Sequence, residues 1–222
     1  MNTANFHKII FPVGRITSDG VKLLGTCFLL NGKGLFATAA HVTNNNDSNL
    51  VLIFTDALYN SDKGINSYQD TSNKRVAYSY LTIYKIDPIH DICILKSEDD
   101  AISNIIVSST DNVDVSEDVC ILGYPHCDRG RMVLTYQETT IGAKILLETS
   151  NIKTKHIVLN IQTRPGQSGS PVFRKSDSTL VAIIIGSYAP NNGGGILLGG
   201  VDPLTLHQTT HAVSAEYIDK ML

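Results

Sequence analysis

Apolar residues recur along this chain in short runs, and glycine, asparagine, aspartate or serine interrupts nearly all of them. Ile9 to Ile16, Lys22 to Leu30, Leu35 to Thr38, Leu50 to Phe54, Arg75 to Tyr84 and Ile92 to Lys96 have the β-branched content and turn-bounded length of strands. Asn31-Gly32-Lys33-Gly34 supplies positive-φ residues between two of them, a strong hairpin signal. A polar, acidic stretch from Ser97 to Asp118 follows. Beyond it come Val119 to Gly123, Met132 to Ile141, Lys144 to Glu148, Ile157 to Gln162, Pro171 to Arg174 and Leu180 to Ser187. Ile196 to Val201 forms a further strand or closes the last hairpin.

No long helical period intervenes, so the pattern predicts an all-β barrel or sandwich. Helical spacing is confined to the end of the chain. There Ser214 can cap a helix over Ala215 to Leu222, with Ile218, Met221 and Leu222 on one face. The polar loop Tyr59 to Lys74 is expected to be mobile.

Composition adds exclusions. The 222 residues suffice for one large domain or two small ones sharing a core, and 42% hydrophobic with 18% charged residues describes a globular chain. A net charge of −3 favours neither nucleic acid nor an anionic membrane as partner. The longest apolar stretch, around Leu180 to Ile185, is too short to span a bilayer. The N-terminus lacks a basic segment followed by a long apolar core, so a cytoplasmic location is expected, or a secreted one if the chain is a processed mature form. Cys27, Cys93 and Cys120 lie in apolar runs and read as small buried hydrophobes in a reducing compartment. Cys120, His126 and Cys127 match no common zinc spacing, and no metal or cofactor is expected.

Three segments carry chemistry. Gly166-Gln167-Ser168-Gly169-Ser170-Pro171 sets a serine on a glycine turn between two strand-like runs, where consecutive N–H groups can converge on an oxyanion. Thr38-Ala39-Ala40-His41-Val42 places a histidine after small residues, and His90-Asp91-Ile92-Cys93-Ile94-Leu95 places an aspartate at the start of an apolar run. Serine needs a base within hydrogen-bond reach, histidine is largely neutral near pH 7, and a carboxylate on its other nitrogen selects the tautomer. Each segment alone is ordinary turn punctuation. Their joint occurrence in the order His–Asp–Ser is not.

These segments resemble the three signature segments of the trypsin/chymotrypsin-like serine peptidases, and the separations of 50 and 77 positions are close to that family's. Gly123-Tyr124-Pro125 and Ser170-Pro171-Val172-Phe173 resemble its bacterial, glutamyl-endopeptidase-like and HtrA-like branches. The resemblance implies two six-stranded antiparallel β-barrels with the active site between them. Residues 1–107 would form the barrel carrying His41 and Asp91. Residues 108–222 would form the one carrying Ser168, plus the C-terminal helix. It implies Ser168 as nucleophile, His41 as general base and acid, Asp91 as orienting carboxylate, and the N–H groups of Gly166 and Ser168 as oxyanion hole. Ser170 is rejected as nucleophile because Pro171 restricts it to extended geometry and the family's serine matches Ser168.

The departures are also informative. Gln167 stands where zymogen-activated relatives carry an aspartate that pairs with a new N-terminus, so that activation route is not expected. Val42 replaces a frequent disulfide cysteine. Gln162 removes the aspartate that attracts Arg or Lys. Thr163 matches a threonine of Glu-specific relatives, whose pocket histidine would fall near Ile184. The expected pocket, lined by Thr163, Ile184, Ile185 and Gly186, is therefore neutral and takes an uncharged residue before the scissile bond. The implied partner is a protein or peptide substrate. The alternative is a partner-regulated or catalytically weak peptide-binding module on the same fold.

Overall fold

The computed structural model describes residues 3–55, 64–72, 76–188 and 209–222. Within them, strands β1 (Ile10–Thr17), β2 (Gly20–Leu29), β3 (Leu35–Ala39), β4 (Leu50–Phe54), β5 (Ala77–Asp87) and β6 (Ile92–Ser97) close into one antiparallel barrel in the order β1-β2-β3-β6-β5-β4. Strands β7 (Asp118–Gly123), β8 (Thr135–Thr149), β9 (Ile152–Leu159), β10 (Pro171–Arg174), β11 (Leu180–Tyr188) and β12 (Thr209–Ser214) close the second, in the order β10-β11-β12-β9-β8-β7. Among the described residues two four-residue α-helices accompany them, α1 (Ala40–Thr43) after β3 and α2 (Glu216–Asp219) after β12. This is the chymotrypsin-like double barrel.

The continuous apolar runs follow from burial on both faces of a strand. In β6, Cys93 and Leu95 point into the first barrel, while Ile92 and Ile94 join the cluster between the barrels. In β7, Val119 and Ile121 fill the second barrel, while Cys120 and Leu122 face the first. A strand of period two buried on both sides has no polar face, which is why these runs do not alternate. The cluster between the barrels also holds Phe28, Tyr124 and Phe173, with the Phe6 ring tilted 50° against Phe173 at 4.7 Å between centroids. All four cysteines are buried and none is in a disulfide.

Several elements differ from the sequence-based expectation. The expected runs Met132 to Ile141 and Lys144 to Glu148 merge into one strand, β8, which begins only at Thr135 and passes Gly142 through a bulge between Ile141 and Ala143. A Cβ on Gly142 would lie 2.4 Å from Asn160 Oδ1, so the glycine admits a neighbour and does not end the strand. β9 begins earlier than expected, because Ser150 and Asn151, at φ 52° and 63°, make a tight hairpin with β8. Ser214 ends β12 and does not cap a helix; its hydroxyl accepts from the Thr110 N–H at 3.0 Å, and α2 is short with Ala215 before it. Ile196 to Val201 lies outside the described residues. In the described part of the polar loop, 64–72, Gln69 accepts from Leu134 N–H at 2.7 Å and donates to Leu134 O at 2.9 Å.

Candidate active site

The first barrel contributes His41 and Asp91 as one unit. β3 leads directly into α1, and β6 starts beside it, so Ala40 N–H donates to Asp91 O at 2.9 Å. Asp91 Oδ1 accepts from the His41 backbone N–H at 2.9 Å, and Oδ2 lies 2.6 Å from His41 Nδ1. One carboxylate thus fixes both the backbone and the ring of the same residue. Paired with a carboxylate, Nδ1 carries the proton and leaves Nε2 as the acceptor.

Asp91 itself sits at φ 55°, a left-handed conformation that aspartate tolerates better than most residues. The preceding turn holds it there. Asp87 accepts from the N–H groups of Ile89 and His90 at 3.0 and 3.1 Å, and its other oxygen lies 2.5 Å from His90 Nδ1. Burial alone would raise the Asp87 pKa, but these bonds from His90 and Ile89 outweigh it and hold it below the usual range. The His90 ring then stacks on Tyr217 of α2 at 3.7 Å. Tyr217 Oη accepts from the Lys155 N–H at 2.9 Å, so the C-terminal helix joins the turn before Asp91 to β9.

The second barrel contributes the serine turn, where a count of N–H groups is informative. Thr163 N–H donates to Thr210 Oγ1, Arg164 N–H to Gln167 Oε1 and Gln167 N–H to Arg164 O. Gly169 N–H donates to Ile184 O, and Ser170 N–H to Gln167 O. Pro165 has none. Among the described residues, the N–H groups of Gly166 and Ser168 alone on this segment find no acceptor. Pro165 and Gly166 occupy the centre of the turn, with Gly166 at φ +90°, the residue order of a type II turn. The Pro165 carbonyl accepts from His126 N–H at 2.6 Å. In a trans peptide this directs the Gly166 N–H to the opposite side.

Ser168 is partly exposed, and its Oγ makes no hydrogen bond among the described residues. Ser170 is fully buried, with its Oγ against Gly123 and no hydrogen-bond partner. It cannot meet a substrate in this position.

The two halves meet on β2. A Cβ on Gly25 would lie 2.8 Å from Val42 Cγ2 and 3.0 Å from Ser168 O, so this glycine lets the residue after His41 and the serine backbone close on the same point. Thr26 N–H donates to Ser168 O at 2.9 Å, and Thr26 Oγ1 donates to Gly166 O at 2.9 Å while accepting from Tyr124 N–H at 3.1 Å. Thr38 Oγ1 donates to Thr26 O at 2.7 Å. Gly169, at φ +84°, has no room for a side chain: its Cβ would fall 2.1 Å from Thr26 O and 2.3 Å from Thr38 Oγ1.

The expected pocket residues divide. Ile184 is only 1% exposed and packs inside the second barrel, and its backbone N–H and C=O bond to the serine turn. Ile185 points the other way, onto the cluster between the barrels. Thr163 is buried with its hydroxyl 3.2 Å from that of Thr210, and Gly186, at φ +152°, faces open space. The register of β12 sets His211 beside Gly186, a histidine that the sequence pattern did not single out because β12 was not recognised. Burial lowers the His211 pKa. Thr26 and Gln137 were also missed. Nothing in their local sequence distinguishes them, and only the closed barrels bring them to the turn.

A model of the trypsin-like peptidase domain matches residues 25–183, and the chain belongs to that family. Among solved structures it is similar to the MamO protease domain from Magnetospirillum magneticum (14% identity, TM-score 0.68, covering 100% of this chain and 98% of that one). It is also similar to the inactive form of the Rv3671c protease (16%, 0.64, 98% and 89%) and to Deg5 (13%, 0.63, 95% and 85%). At these identities the likeness concerns the fold alone. No curated protein matches the sequence significantly.

Proposed function

We propose that this protein is a serine endopeptidase in which Ser168, His41 and Asp91 cleave a peptide bond through an acyl-enzyme. The observation that carries this reading is the pairing of two features, one from each barrel. Asp91 holds His41 by backbone and ring, and the two N–H groups lacking acceptors are those of Ser168 itself and of Gly166 two residues before it. Ser168 Oγ attacks the substrate carbonyl while its proton passes to His41 Nε2. The carbonyl oxygen becomes an oxyanion and accepts from Gly166 and Ser168 N–H. His41 then gives the proton to the leaving amine, and water repeats the sequence to release the acid. Losing one such donor costs roughly a hundred- to a thousand-fold in rate.

Substrates carry an uncharged residue before the scissile bond. Gln162 offers no charge to Arg or Lys, and its Oε1 already accepts from Arg164 Nη1 at 2.9 Å. One observation favours a second reading, an enzyme completed by a partner: Ser168 Oγ is not hydrogen-bonded to His41 in the resting chain, a geometry that often tightens only when substrate is bound. The test is hydrolysis of an unbiased peptide library by wild type and Ser168→Ala. Cleavage by wild type alone, after uncharged residues, is the expected result. Equal cleavage by both proteins contradicts the reading, and a strong preference for Glu, Arg or Lys contradicts the neutral pocket.

A further inference from the structure

Gln167 is completely buried immediately before the nucleophile, in a position where an amide side chain must find partners for both ends. Its Oε1 accepts from the Arg164 N–H at 2.8 Å, and its Nε2 donates to Gln137 Oε1 at 2.5 Å. The Gln167 N–H also donates to Arg164 O at 3.1 Å. Residues 164–167 are therefore closed twice, once through the backbone and once through the carboxamide. Pro165 and Gly166 are the two residues enclosed.

Gln137 lies on β8, opposite Ile121 of β7, and is anchored by the barrel ladder independently of the turn. We infer that Gln137 is a positioning residue: its side-chain oxygen fixes the Gln167 carboxamide, which fixes the turn that presents the Gly166 N–H. The inference rests on the proposed role of Ser168 for its catalytic consequence, but not for its structural one. The clamp is neutral. It needs no ion pair and no liberated N-terminus, so the turn is set in the chain as synthesised.

An amide pair also has a specific tolerance. If either glutamine becomes a carboxylate, the other can present its NH2 and the link survives. If both do, two acceptors face each other and no donor remains until one takes a proton. The test compares wild type, Gln137→Leu, Gln137→Glu, Gln167→Glu and the double Gln137→Glu/Gln167→Glu. Two readouts are used: acylation rate with a fluorophosphonate, and amide hydrogen exchange of the 163–170 segment by mass spectrometry.

Gln137→Leu should acylate about tenfold to a hundredfold more slowly, with faster exchange in 163–170 and unchanged exchange in β7. Each single glutamate variant should stay within about fivefold of wild type. The double variant should be as slow as Gln137→Leu at pH 8, and should recover towards the wild-type rate measured at the same pH near pH 5. Gln137→Leu with wild-type exchange in 163–170 overturns the clamp, as does a double variant equally impaired relative to wild type at both pH values. Absence of labelling in wild type would refute the role of Ser168, and hydrogen exchange would still decide the role of Gln137.

Discussion

Thr26 Oγ1 donates to the carbonyl of Gly166 at 2.9 Å across 140 positions of sequence, joining a strand of the first barrel to the serine turn of the second. The same hydroxyl accepts from Tyr124 N–H, so one buried side chain satisfies two backbone groups that have no access to water. Thr26→Val keeps the shape and removes both bonds. The expected cost is about 2–4 kcal/mol, because a buried polar group left unpaired costs about 1–3 kcal/mol and the Gly166 carbonyl keeps only the weak Cys127 thiol donor at 3.7 Å. Thr26→Ser, which keeps the hydroxyl, should lose about 1 kcal/mol. Urea unfolding of the two variants checks this. A similar loss in both would mean that the methyl, not the hydroxyl, matters at this position.

The stack of His90 on Tyr217 makes a prediction about α2. Tyr217→Leu removes the ring that packs on the residue before Asp91, together with the acceptor for Lys155 N–H. Stability should fall by about 1–3 kcal/mol, and turnover should fall further than in Tyr217→Phe, which keeps the stack. Steady-state kinetics on both variants distinguishes the two contributions. Equal turnover in both would remove the stack from the account of how Asp91 is held.

His156 predicts an acid-sensitive fold. It lies buried on β9 with Nε2 2.7 Å from Thr154 Oγ1. Burial, and to a lesser extent the neighbouring His211 and His90, lower its pKa to about 4, with Asp91 opposing. In the unfolded chain the pKa is about 6.5. The unfolded state therefore binds the proton first as pH falls, so the stability contribution is complete above about pH 6.5 and is lost progressively towards pH 4, at up to about 1.4 kcal/mol per pH unit. His156→Gln, which can still bond Thr154 but does not titrate, should show a flatter decline between pH 6.5 and 4.5. Parallel declines in variant and wild type would assign the acid sensitivity to other groups.

Much of this was legible in the chain because the relevant signals are local. The small residues before His41, the polar start of β6 at Asp91 and the glycines around Ser168 are each dictated by a turn or a close approach within a few residues. Gly169 is the clearest case, since both its φ and the contacts around it exclude a side chain. The runs Val119 to Leu122 and Ile92 to Leu95 announced strands through continuous apolar character. β12 was not legible: Thr209-Thr210-His211 is polar, because Thr210 serves the serine turn and does not fill the core. The pattern separates Ile141 from Lys144 because a glycine within a strand and a glycine between strands look alike until the bulge at Gly142 is seen. The partners Thr26 and Gln137 are set by barrel closure, and spacing along the chain carries no trace of them.

The most direct measurement is the site of a covalent adduct. Wild type, Ser168→Ala, Ser170→Ala and His41→Ala are treated with a fluorophosphonate, and the adduct is located by peptide mass spectrometry. The expected result is a single adduct on Ser168, absent from Ser168→Ala, at least about a thousandfold slower in His41→Ala, and retained in Ser170→Ala, whose hydroxyl is buried and bonds to nothing. An adduct on Ser170, or labelling indifferent to His41, contradicts the account.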